Sequence, residues 1–465
     1  MIKKYIMYLF LAYNVLDLIK EVVAMNNMYY LLNITVSGIK CIEEEVRLDF
    51  YKKIVDKKFD PDKYRIKAIY GENGSGKSAI ITAVKIFQDI ICNSQYLSES
   101  KNQKLLDELI NKKTHCYVFK CEFLCDLEND NIIYAYELEL KRNQNDLYEI
   151  VHEKLSKKSG NYPNSRYKNI FETRDGKLIS VSAEGEYSLM IEKMTYNLLG
   201  KNSLLNIYFF NYPNIKKENM NEHDHIYVDV CVCMVFTFII KIYLDEEDKH
   251  ELYLIKKIFN EKIKKNNNYI LDNVLEIMNT LSVNDSIIPK NYFDMYKQKI
   301  DNLTSFLRIF KHDLKSIEID VKDDGDNYRC DLNLNYGDYL INKEFESTGI
   351  KKLIKLFDCF DAASKYGIVF IDEMDSNLND VYLCKIIEYF MYYGKGQLCF
   401  TTHNLDPMSV LKENKYSIDF LSSDNKLVSW VSKGNAAPDS YFKNGMIENI
   451  PFNIDATDFI GVFGE

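Results

Sequence analysis

The sequence predicts an α/β fold, in which a mixed sheet with flanking helices carries an antiparallel β-subdomain and an inserted helical arm. Three observations support this prediction. The segment from Tyr64 to Ile91 has the pattern of a strand, a glycine-rich turn and a helix. A second apolar strand begins at Gly367 and ends in two carboxylates. Between these segments, from Val181 to about Lys315, apolar residues recur at helical spacing.

The bulk composition is that of an ordinary globular protein. The 465 residues suffice for two or three domains, and 46% of them are hydrophobic. The net charge of −10 gives no sign of nucleic-acid binding, although a local basic patch would allow it. Eleven cysteines without a C-x-x-C spacing indicate free thiols in a reducing compartment, so we expect a cytoplasmic protein. Cys231 and Cys233 are either half of a metal site or part of a buried apolar segment.

The glycine-rich turn reads GENGSGKS and matches G-x-x-x-x-G-K-[ST] without a mismatch. Glycines let the backbone approach phosphates closely, and the N–H groups of the turn and of the first helical turn cradle the anion. Lys77 is predicted to reach the β- and γ-phosphates of ATP, and the Ser78 hydroxyl to hold Mg²⁺. The predicted nucleotide-binding residues here are Gly71, Asn73, Gly74, Ser75, Gly76, Lys77, Ser78 and Ala79.

The order of patterns divides the chain into a leader, two lobes of a head and an insertion. Residues 1–28 are the leader, which is similar to a signal peptide but is interrupted by polar residues. No apolar run is long enough to indicate a membrane span. We expect the first lobe over 29–155, a mostly helical insertion over 156–315 and the second lobe over 316–465. A basic run from Lys256 to Lys265 in the insertion is either a solvated helix face or a nucleic-acid contact.

Alternating residues predict the strands of the first lobe. Leu31–Val36 and Glu45–Phe50 should pair ahead of the strand that leads into the glycine-rich turn. An antiparallel meander follows over Tyr117–Leu124, Ile132–Lys141 and Asp146–Val151. The next segment, Ser156–Asp175, is polar and predicts a loop.

The second lobe contains the carboxylates expected of a nucleotide-hydrolysing site. Asp372 follows the apolar strand directly and is predicted to hold Mg²⁺, and Glu373 to accept a proton from the attacking water. Asp375, in the turn that follows, completes this group of acidic residues. His403 leaves the end of the next strand, where it is well placed to contact a γ-phosphate.

Ser347 and Gly349 precede a helix that runs to Phe360. Ser347 is either an ordinary helix N-cap or part of an anion site at a helix N-terminus. In the second case the anion is the nucleotide of another copy of the chain.

In this order, the motifs GENGSGKS, ESTGIKKL, FIDEMDSNL and TTHN resemble those of the ABC-class ATPases of the SMC, RecF and OLD-nuclease group. More narrowly, they resemble stand-alone ATPases of bacterial abortive-infection and anti-phage systems, as does the C-terminal segment NGMIENIPFNIDATDFIGVF. The resemblance implies an ABC-type P-loop head and a homodimer or higher homo-oligomer, in which the partner's Ser347 and Gly349 complete each site. It also implies that Asp375 contributes to the nucleotide site and that His403 is the γ-phosphate switch.

The long separation of Lys77 from Asp372 favours a head with an inserted arm over the compact subunit of a transporter. Few residues follow His403, and they contain no carboxylate cluster of a nuclease domain. The leading hypothesis is therefore an ATPase that controls a separate nuclease or toxin. The alternatives are a RecF-like or SMC-like ATPase that acts directly on DNA, and a nucleotide-bound scaffold with little turnover. The sequence offers no residue for the glutamine loop of this class, because Gln88 lies on the helix after the phosphate loop.

Overall fold

The computed structural model describes residues 29–447, with gaps at 57, 128–129, 184, 216–223, 245–280, 415 and 432–436. The predicted leader, the basic run from Lys256 to Lys265 and most of the C-terminal segment that carries part of the resemblance lie outside these residues.

In chain order, the strands are β1 (Tyr29–Ser37), β2 (Val46–Asp49), β3 (Ile66–Gly71), β4 (Cys116–Leu127), β5 (Asp130–Arg142), β6 (Tyr148–Ser159), β7 (Lys168–Arg174), β8 (Lys177–Val181), β9 (Ile240–Tyr243), β10 (Ile287–Pro289), β11 (Ser316–Asp324), β12 (Asn327–Asn335), β13 (Leu340–Asn342), β14 (Ile368–Ile371), β15 (Gln397–Thr401), β16 (Ile418–Leu421) and β17 (Leu427–Ser429). The helices are α1 (Lys77–Cys92), α2 (Ser100–Leu109), α3 (Glu186–Thr195), α4 (Leu204–Ile215), α5 (Asp224–Ile239), α6 (Phe293–Phe310), α7 (Thr348–Ser364), α8 (Asp380–Tyr393), α9 (Pro407–Leu411) and α10 (Pro438–Lys443).

The central sheet has the strand order β17-β16-β3-β15-β14-β9. The five strands from β16 to β9 are parallel, and β17 pairs with β16 in the antiparallel sense. β3, β14, β15 and β16 are buried throughout, as expected for strands that are covered on both faces, whereas β9 and β17 at the ends of the sheet are partly exposed. The mixed sheet and the α/β fold that the sequence predicts are therefore confirmed.

Alternate residues of the central strands belong to two hydrophobic cores. Ile69 and Phe370 pack with α1 and with the antiparallel sheet. Ala68 and Val369 point to the other face and pack with α7, α8 and the small sheet of β10 to β13. The period of two along each strand thus places the two cores on opposite faces of one sheet.

The second sheet is the predicted antiparallel subdomain, with the order β2-β1-β4-β5-β6-β7-β8. The pairing of β1 with β2 and the meander of β4, β5 and β6 confirm the predictions for the first lobe. The predicted loop over Ser156–Asp175 is wrong, because β6 continues to Ser159 and β7 runs from Lys168 to Arg174. Polar residues on the outer faces of β6 and β7 make the alternation of apolar and polar residues hard to recognise in the sequence. The predicted domain boundary at residue 155 falls within β6, and the domain division stays a prediction.

Glu153 on β6 joins this sheet to the helices that follow it. Its buried carboxylate accepts hydrogen bonds from the Leu204 N–H at 2.7 Å, the Leu205 N–H at 3.2 Å and the Tyr136 hydroxyl at 2.6 Å. A negative charge at the start of α4 satisfies N–H groups that have no acceptor within the helix. Burial raises the pKa of Glu153, and these hydrogen bonds oppose that shift.

β9 is absent from the sequence-based prediction. It follows α5 without a break and pairs with β14 in parallel, so the helical insertion contributes a strand to the central sheet. The Asp372 N–H donates to the Tyr243 carbonyl oxygen at 2.8 Å. This contact ties the end of β9 to the first carboxylate of the predicted site.

Candidate nucleotide-binding site

The phosphate loop connects β3 to α1. Gly74 has φ of 81° and Gly76 has φ of 104°, both in the left-handed region that glycine adopts without strain. Lys77 is 6% exposed, and its Nζ donates to the carbonyl oxygens of Gly71 and Glu72, each at 2.8 Å. The lysine therefore lies across its own loop, with its charge at the start of α1.

Two other segments hold the phosphate loop from outside. The Cys41 thiol, in the β1–β2 connection, donates to the Gly74 carbonyl oxygen at 3.2 Å. The Asn425 side-chain amide, in the β16–β17 turn, donates to the Ser75 carbonyl oxygen at 3.3 Å. These contacts connect the carbonyl oxygens of Gly74 and Ser75 to two neighbouring segments.

The close packing under the loop leads to a stability prediction for Gly71→Ala. A Cβ at Gly71 would lie 2.4 Å from the Leu421 carbonyl oxygen, whereas a Cβ at Gly74 meets nothing within 4 Å. We expect Gly71→Ala to cost about 1–3 kcal/mol of unfolding free energy through overpacking. The control Gly74→Ala should cost about 1 kcal/mol, through backbone strain alone. Urea unfolding measures both variants, and a smaller cost for Gly71→Ala would contradict the packing.

The predicted carboxylates lie at the end of β14. Asp372 is 8% exposed, and its Oδ1 accepts a hydrogen bond from the Thr401 hydroxyl at 2.6 Å. Glu373 is exposed and has φ of 46°, a left-handed conformation that costs a non-glycine residue about 1–2 kcal/mol. Its N–H donates to the same Thr401 hydroxyl oxygen at 2.8 Å. One hydroxyl from the neighbouring strand therefore contacts both acidic residues.

The strand order explains how the two halves of the site meet. β15 lies between β3 and β14, and all three strands are parallel. Their carboxyl ends therefore open at one edge of the sheet, where ligands of open α/β sheets bind. The loop after β3, the carboxylates after β14 and the polar segment after β15 all lie at this edge.

Electrostatic coupling indicates that these groups are close. Burial lowers the pKa of Lys77, while Asp372, Glu373 and Asp375 act in the opposite direction because they are nearby negative charges. Burial also lowers the pKa of His403, and the charge of Lys77 lowers it further. The carboxylates of Asp375, Glu373 and Asp372 oppose this shift, and the net lowering of the His403 pKa favours the neutral ring.

Asp375 contacts the segment that carries His403. Its Oδ2 accepts hydrogen bonds from the N–H groups of His403 and Asn404, each at 3.2 Å. The Asn404 side chain in turn donates to Asp380 Oδ1 at 2.5 Å. These contacts assign to Asp375 a role in holding the backbone of His403, whereas its predicted contribution to nucleotide binding stays a prediction.

The start of α7 is the remaining predicted element. Ser347 is its N-cap, since its hydroxyl oxygen accepts from the Ile350 N–H at 3.5 Å. Ser347 and Thr348 are exposed, so this helix end faces solvent in the single chain. A Cβ at Gly349 would lie 3.0 Å from the Asn377 carbonyl oxygen, which places Gly349 against the turn after the carboxylates.

Two residues of the site could not be identified from the sequence. In the sequence, Thr401 is one residue of the motif TTHN and Lys352 one residue of ESTGIKKL, with no role of its own. In the structure, both residues contact Glu373. Their only sequence signal is that each is a polar residue near a predicted site residue, and the structure buries both. Gln88 donates to the carbonyl oxygens of Thr237 and Ile240, so it joins α1 to the α5–β9 junction and lies apart from the site.

The residues at this edge fit ATP with Mg²⁺. Gly76 is left-handed, and a Cβ there would lie 3.0 Å from Ile42 Cγ1, so glycine lets the loop pack closely against the β1–β2 connection. A buried cation lies at the centre of the loop and a buried carboxylate at its edge. The first N–H groups of α1 have no acceptor within the helix. A hydroxyl and a carboxylate, from Ser78 and Asp372, are oxygen ligands of the kind that Mg²⁺ prefers.

Cys231 and Cys233 are buried on α5, and burial raises the pKa of both thiols, that of Cys231 to about 12. Within the described ranges, no group of three or more His, Cys, Asp or Glu side chains could hold a metal ion. Of the two interpretations of this pair, the buried apolar segment agrees with the structure. None of the helices in the described part of the chain combines the length and the apolar character that crossing a bilayer requires.

No protein-family model matches the chain, and no curated protein matches its sequence. Among solved structures, the chain is similar to one described as "Structure of the recombination mediator protein RecF-ATPrS in RecFOR pathway". The two are 13% identical, with a TM-score of 0.40, over 87% of this chain and 99% of that chain. At this TM-score the similarity carries no argument, so the function of the chain is inferred from its own residues.

Proposed function

We propose that the chain is an ATPase of the ABC class that binds and hydrolyses ATP with Mg²⁺. In this proposal two copies pair through their nucleotide sites, and the assembly regulates a separately encoded nuclease or toxin in anti-phage defence in the cytoplasm. The observation that carries the ATPase proposal is the group of Lys77, Asp372, Glu373 and His403 at one edge of a parallel sheet. The defence role rests on the resemblance of the motifs alone.

Each side chain has a role that fits its surroundings. Lys77 and the N–H groups of the phosphate loop bind the phosphates, and Ser78 and Asp372 hold Mg²⁺, which neutralises phosphate charge. Thr401 donates to Asp372 Oδ1 and so orients the carboxylate that would hold Mg²⁺. Glu373 is exposed at the same edge, where its carboxylate accepts the proton of the attacking water.

In this proposal His403 donates a hydrogen bond to the γ-phosphate. In the nucleotide-free chain its lowered pKa favours the neutral ring, in which one ring nitrogen donates and the other can accept. Asp375 holds the backbone on which this ring is carried. A change at Asp375 therefore acts on the γ-phosphate through His403.

In the proposed dimer, the second copy contributes the N-terminus of its α7 to the active site. The exposed N-terminus of this helix presents N–H groups and about half a positive charge, which together favour an anion. In the proposed dimer this anion is the γ-phosphate held by Lys77 of the other copy. Each active site is then complete only in the pair, and turnover per chain rises with protein concentration below the dimer dissociation constant.

Mixing two inactive variants tests the shared site. Lys77→Ala removes the phosphate-binding lysine, and Gly349→Asp places a carboxylate where the partner's phosphate should bind. A mixed dimer has one site that lacks both elements and one site that is intact. Because each mixed dimer keeps one of its two sites, we expect hydrolysis to recover to at most about half of the wild-type rate if the sites act independently.

Gly349→Ala is the control for this experiment, because it adds the same Cβ at 3.0 Å from the Asn377 carbonyl oxygen without the charge. We expect Gly349→Ala to dimerise with ATP and Gly349→Asp to bind ATP without dimerising, as measured by light scattering. Hydrolysis that is independent of protein concentration, together with an active Gly349→Asp, would show that each head works alone. Stimulation of hydrolysis by DNA would favour the alternative, an ATPase that acts on DNA directly.

A further inference from the structure

The backbone of Glu373 is held from both sides by side chains of two other elements. Its N–H donates to Thr401 Oγ1 at 2.8 Å, and its carbonyl oxygen accepts from Lys352 Nζ at 3.2 Å. The residue between these contacts has φ of 46°, a conformation that side-chain-bearing residues rarely adopt without support. The two contacts contribute that support, together with the Ser376 N–H, which donates to the same carbonyl oxygen at 3.1 Å.

Lys352 lies in the second turn of α7 and is 3% exposed. Besides the Glu373 carbonyl oxygen, its ammonium donates to Ser376 Oγ at 2.7 Å and lies 4.4 Å from the centre of the Tyr243 ring. Burial of an ammonium is unfavourable unless it is well bound, and an apolar residue of similar size is often tolerated better. The contacts of this lysine span the carboxylate turn, β9 and the helix that Ser347 caps.

Thr401 contacts both acidic residues of the site. Its hydroxyl donates to Asp372 Oδ1 at 2.6 Å and accepts from the Glu373 N–H. Thr401 therefore orients both the proposed metal ligand and the proposed base. Lys352 holds the backbone of the proposed base, so the two residues are expected to give different kinetic signatures.

We propose that Lys352 and Thr401 are positioning residues that fix the direction of the Glu373 carboxylate, and that Thr401 also fixes Asp372. This inference rests on the proposed function, in which Glu373 is the base. It adds that α7 carries, in one helix, the N-terminus offered to the partner's nucleotide and the lysine that fixes the base of its own site. When α7 contacts the partner's phosphate, any resulting shift of this helix is transmitted through Lys352 to Glu373 of the same chain.

The kinetic test compares Lys352→Met with Thr401→Val. A displacement of about 1 Å at a catalytic group costs roughly 10²-fold in rate, so we expect a fall in kcat of that order for both variants. Lys352→Met should keep the wild-type KM for ATP and the wild-type Mg²⁺ concentration for half-maximal activity. Thr401→Val should raise that Mg²⁺ concentration as well. The conservative variants Lys352→Arg and Thr401→Ser keep a donor and should recover most of kcat.

Two matched controls remove the same side-chain groups at places where they do not contact Glu373. Lys355→Met removes an exposed lysine one turn further along the same helix, beyond the N-terminus that is offered to the partner's phosphate. Thr237→Val removes a buried hydroxyl that donates to the Cys233 carbonyl oxygen on α5. Both controls should keep the wild-type kcat. If Lys352→Met fails to fold, Ser376→Ala removes the second acceptor of the ammonium and should lower kcat to a smaller degree.

A crystal structure of nucleotide-free Lys352→Met gives a readout besides activity. We expect φ of residue 373 to leave the left-handed region, or its side chain to become disordered, with the phosphate loop unchanged. An unchanged Glu373 in that structure, or a wild-type kcat for Lys352→Met, would overturn the inference. Glu373→Gln distinguishes failure of this inference from failure of the proposed function. If Glu373→Gln hydrolyses ATP normally, Glu373 is not the base and the proposed function fails. The crystal structure of Lys352→Met still decides whether Lys352 positions Glu373.

Discussion

Glu373→Gln is expected to leave ATP bound and to slow its hydrolysis by a factor on the order of 10²–10⁴. The substitution keeps the size of the side chain and its backbone contacts with Thr401 and Lys352, but it removes the group that accepts the proton. Phosphate release measures hydrolysis, and titration calorimetry measures ATP affinity. Because ATP is then bound but not consumed, the dimer should accumulate and be visible by light scattering.

The control for this variant is Glu388→Gln, which changes an α8 carboxylate that pairs with Lys385 at 2.6 Å, away from the sheet edge. It should hydrolyse ATP at the wild-type rate. Hydrolysis by Glu373→Gln within twofold of wild type would show that another group is the base. Loss of ATP binding would instead show that Glu373 contributes to the ground-state complex.

Lys77→Ala is expected to abolish nucleotide binding, because it removes the buried ammonium at the centre of the phosphate loop. In the wild type, a ligand at 100 times its dissociation constant stabilises the folded state by about 2.7 kcal/mol. The ATP-dependent increase in thermal unfolding temperature should therefore disappear in the variant. The unfolding temperature of each protein without ATP is the baseline, because the substitution also removes the hydrogen bonds of Lys77 to the Gly71 and Glu72 carbonyl oxygens.

Lys85→Ala serves as the matched control for Lys77→Ala. Lys85 lies on the same helix, but it pairs with Asp89 at 2.5 Å. Lys85→Ala should keep both ATP binding and the ATP-dependent increase in unfolding temperature. Equal affinities of wild type and Lys77→Ala for ATP would rule out the phosphate-loop interpretation.

The parts of the site that were predicted from sequence are those whose chemistry demands fixed residue types at short spacing. The phosphate loop is such a case, because phosphate contact requires left-handed glycines followed by a lysine at the start of a helix. Asp372 and Glu373 were found for the same reason, since an apolar strand that ends in carboxylates is a local pattern. The structure places these groups together, while their roles stay predictions.

The parts that were missed depend on contacts between distant segments. Lys352 and Thr401 are ordinary polar residues in the sequence, and only the packing of α7 and β15 against the carboxylate turn gives them a role. β9 was missed because no glycine, proline or polar turn separates it from the apolar helix α5. β7 was missed for a different reason, because lysine and asparagine on its outer face resemble loop composition.

The strand order of the central sheet has a consequence for synthesis on the ribosome. β3 ends at Gly71, yet its two neighbours, β15 and β16, begin at Gln397 and Ile418. All strands of the antiparallel sheet lie before residue 182, so this sheet can form early in synthesis. β3 can pair with its neighbours only after β15 and β16 have been synthesised. Such non-local pairing forms slowly, because the entropy of closing a long loop is lost before the stabilising contacts form. A nascent chain therefore lacks the complete edge of the central sheet until β15 and β16 have left the ribosome, and the proposed ATP binding requires all of these strands.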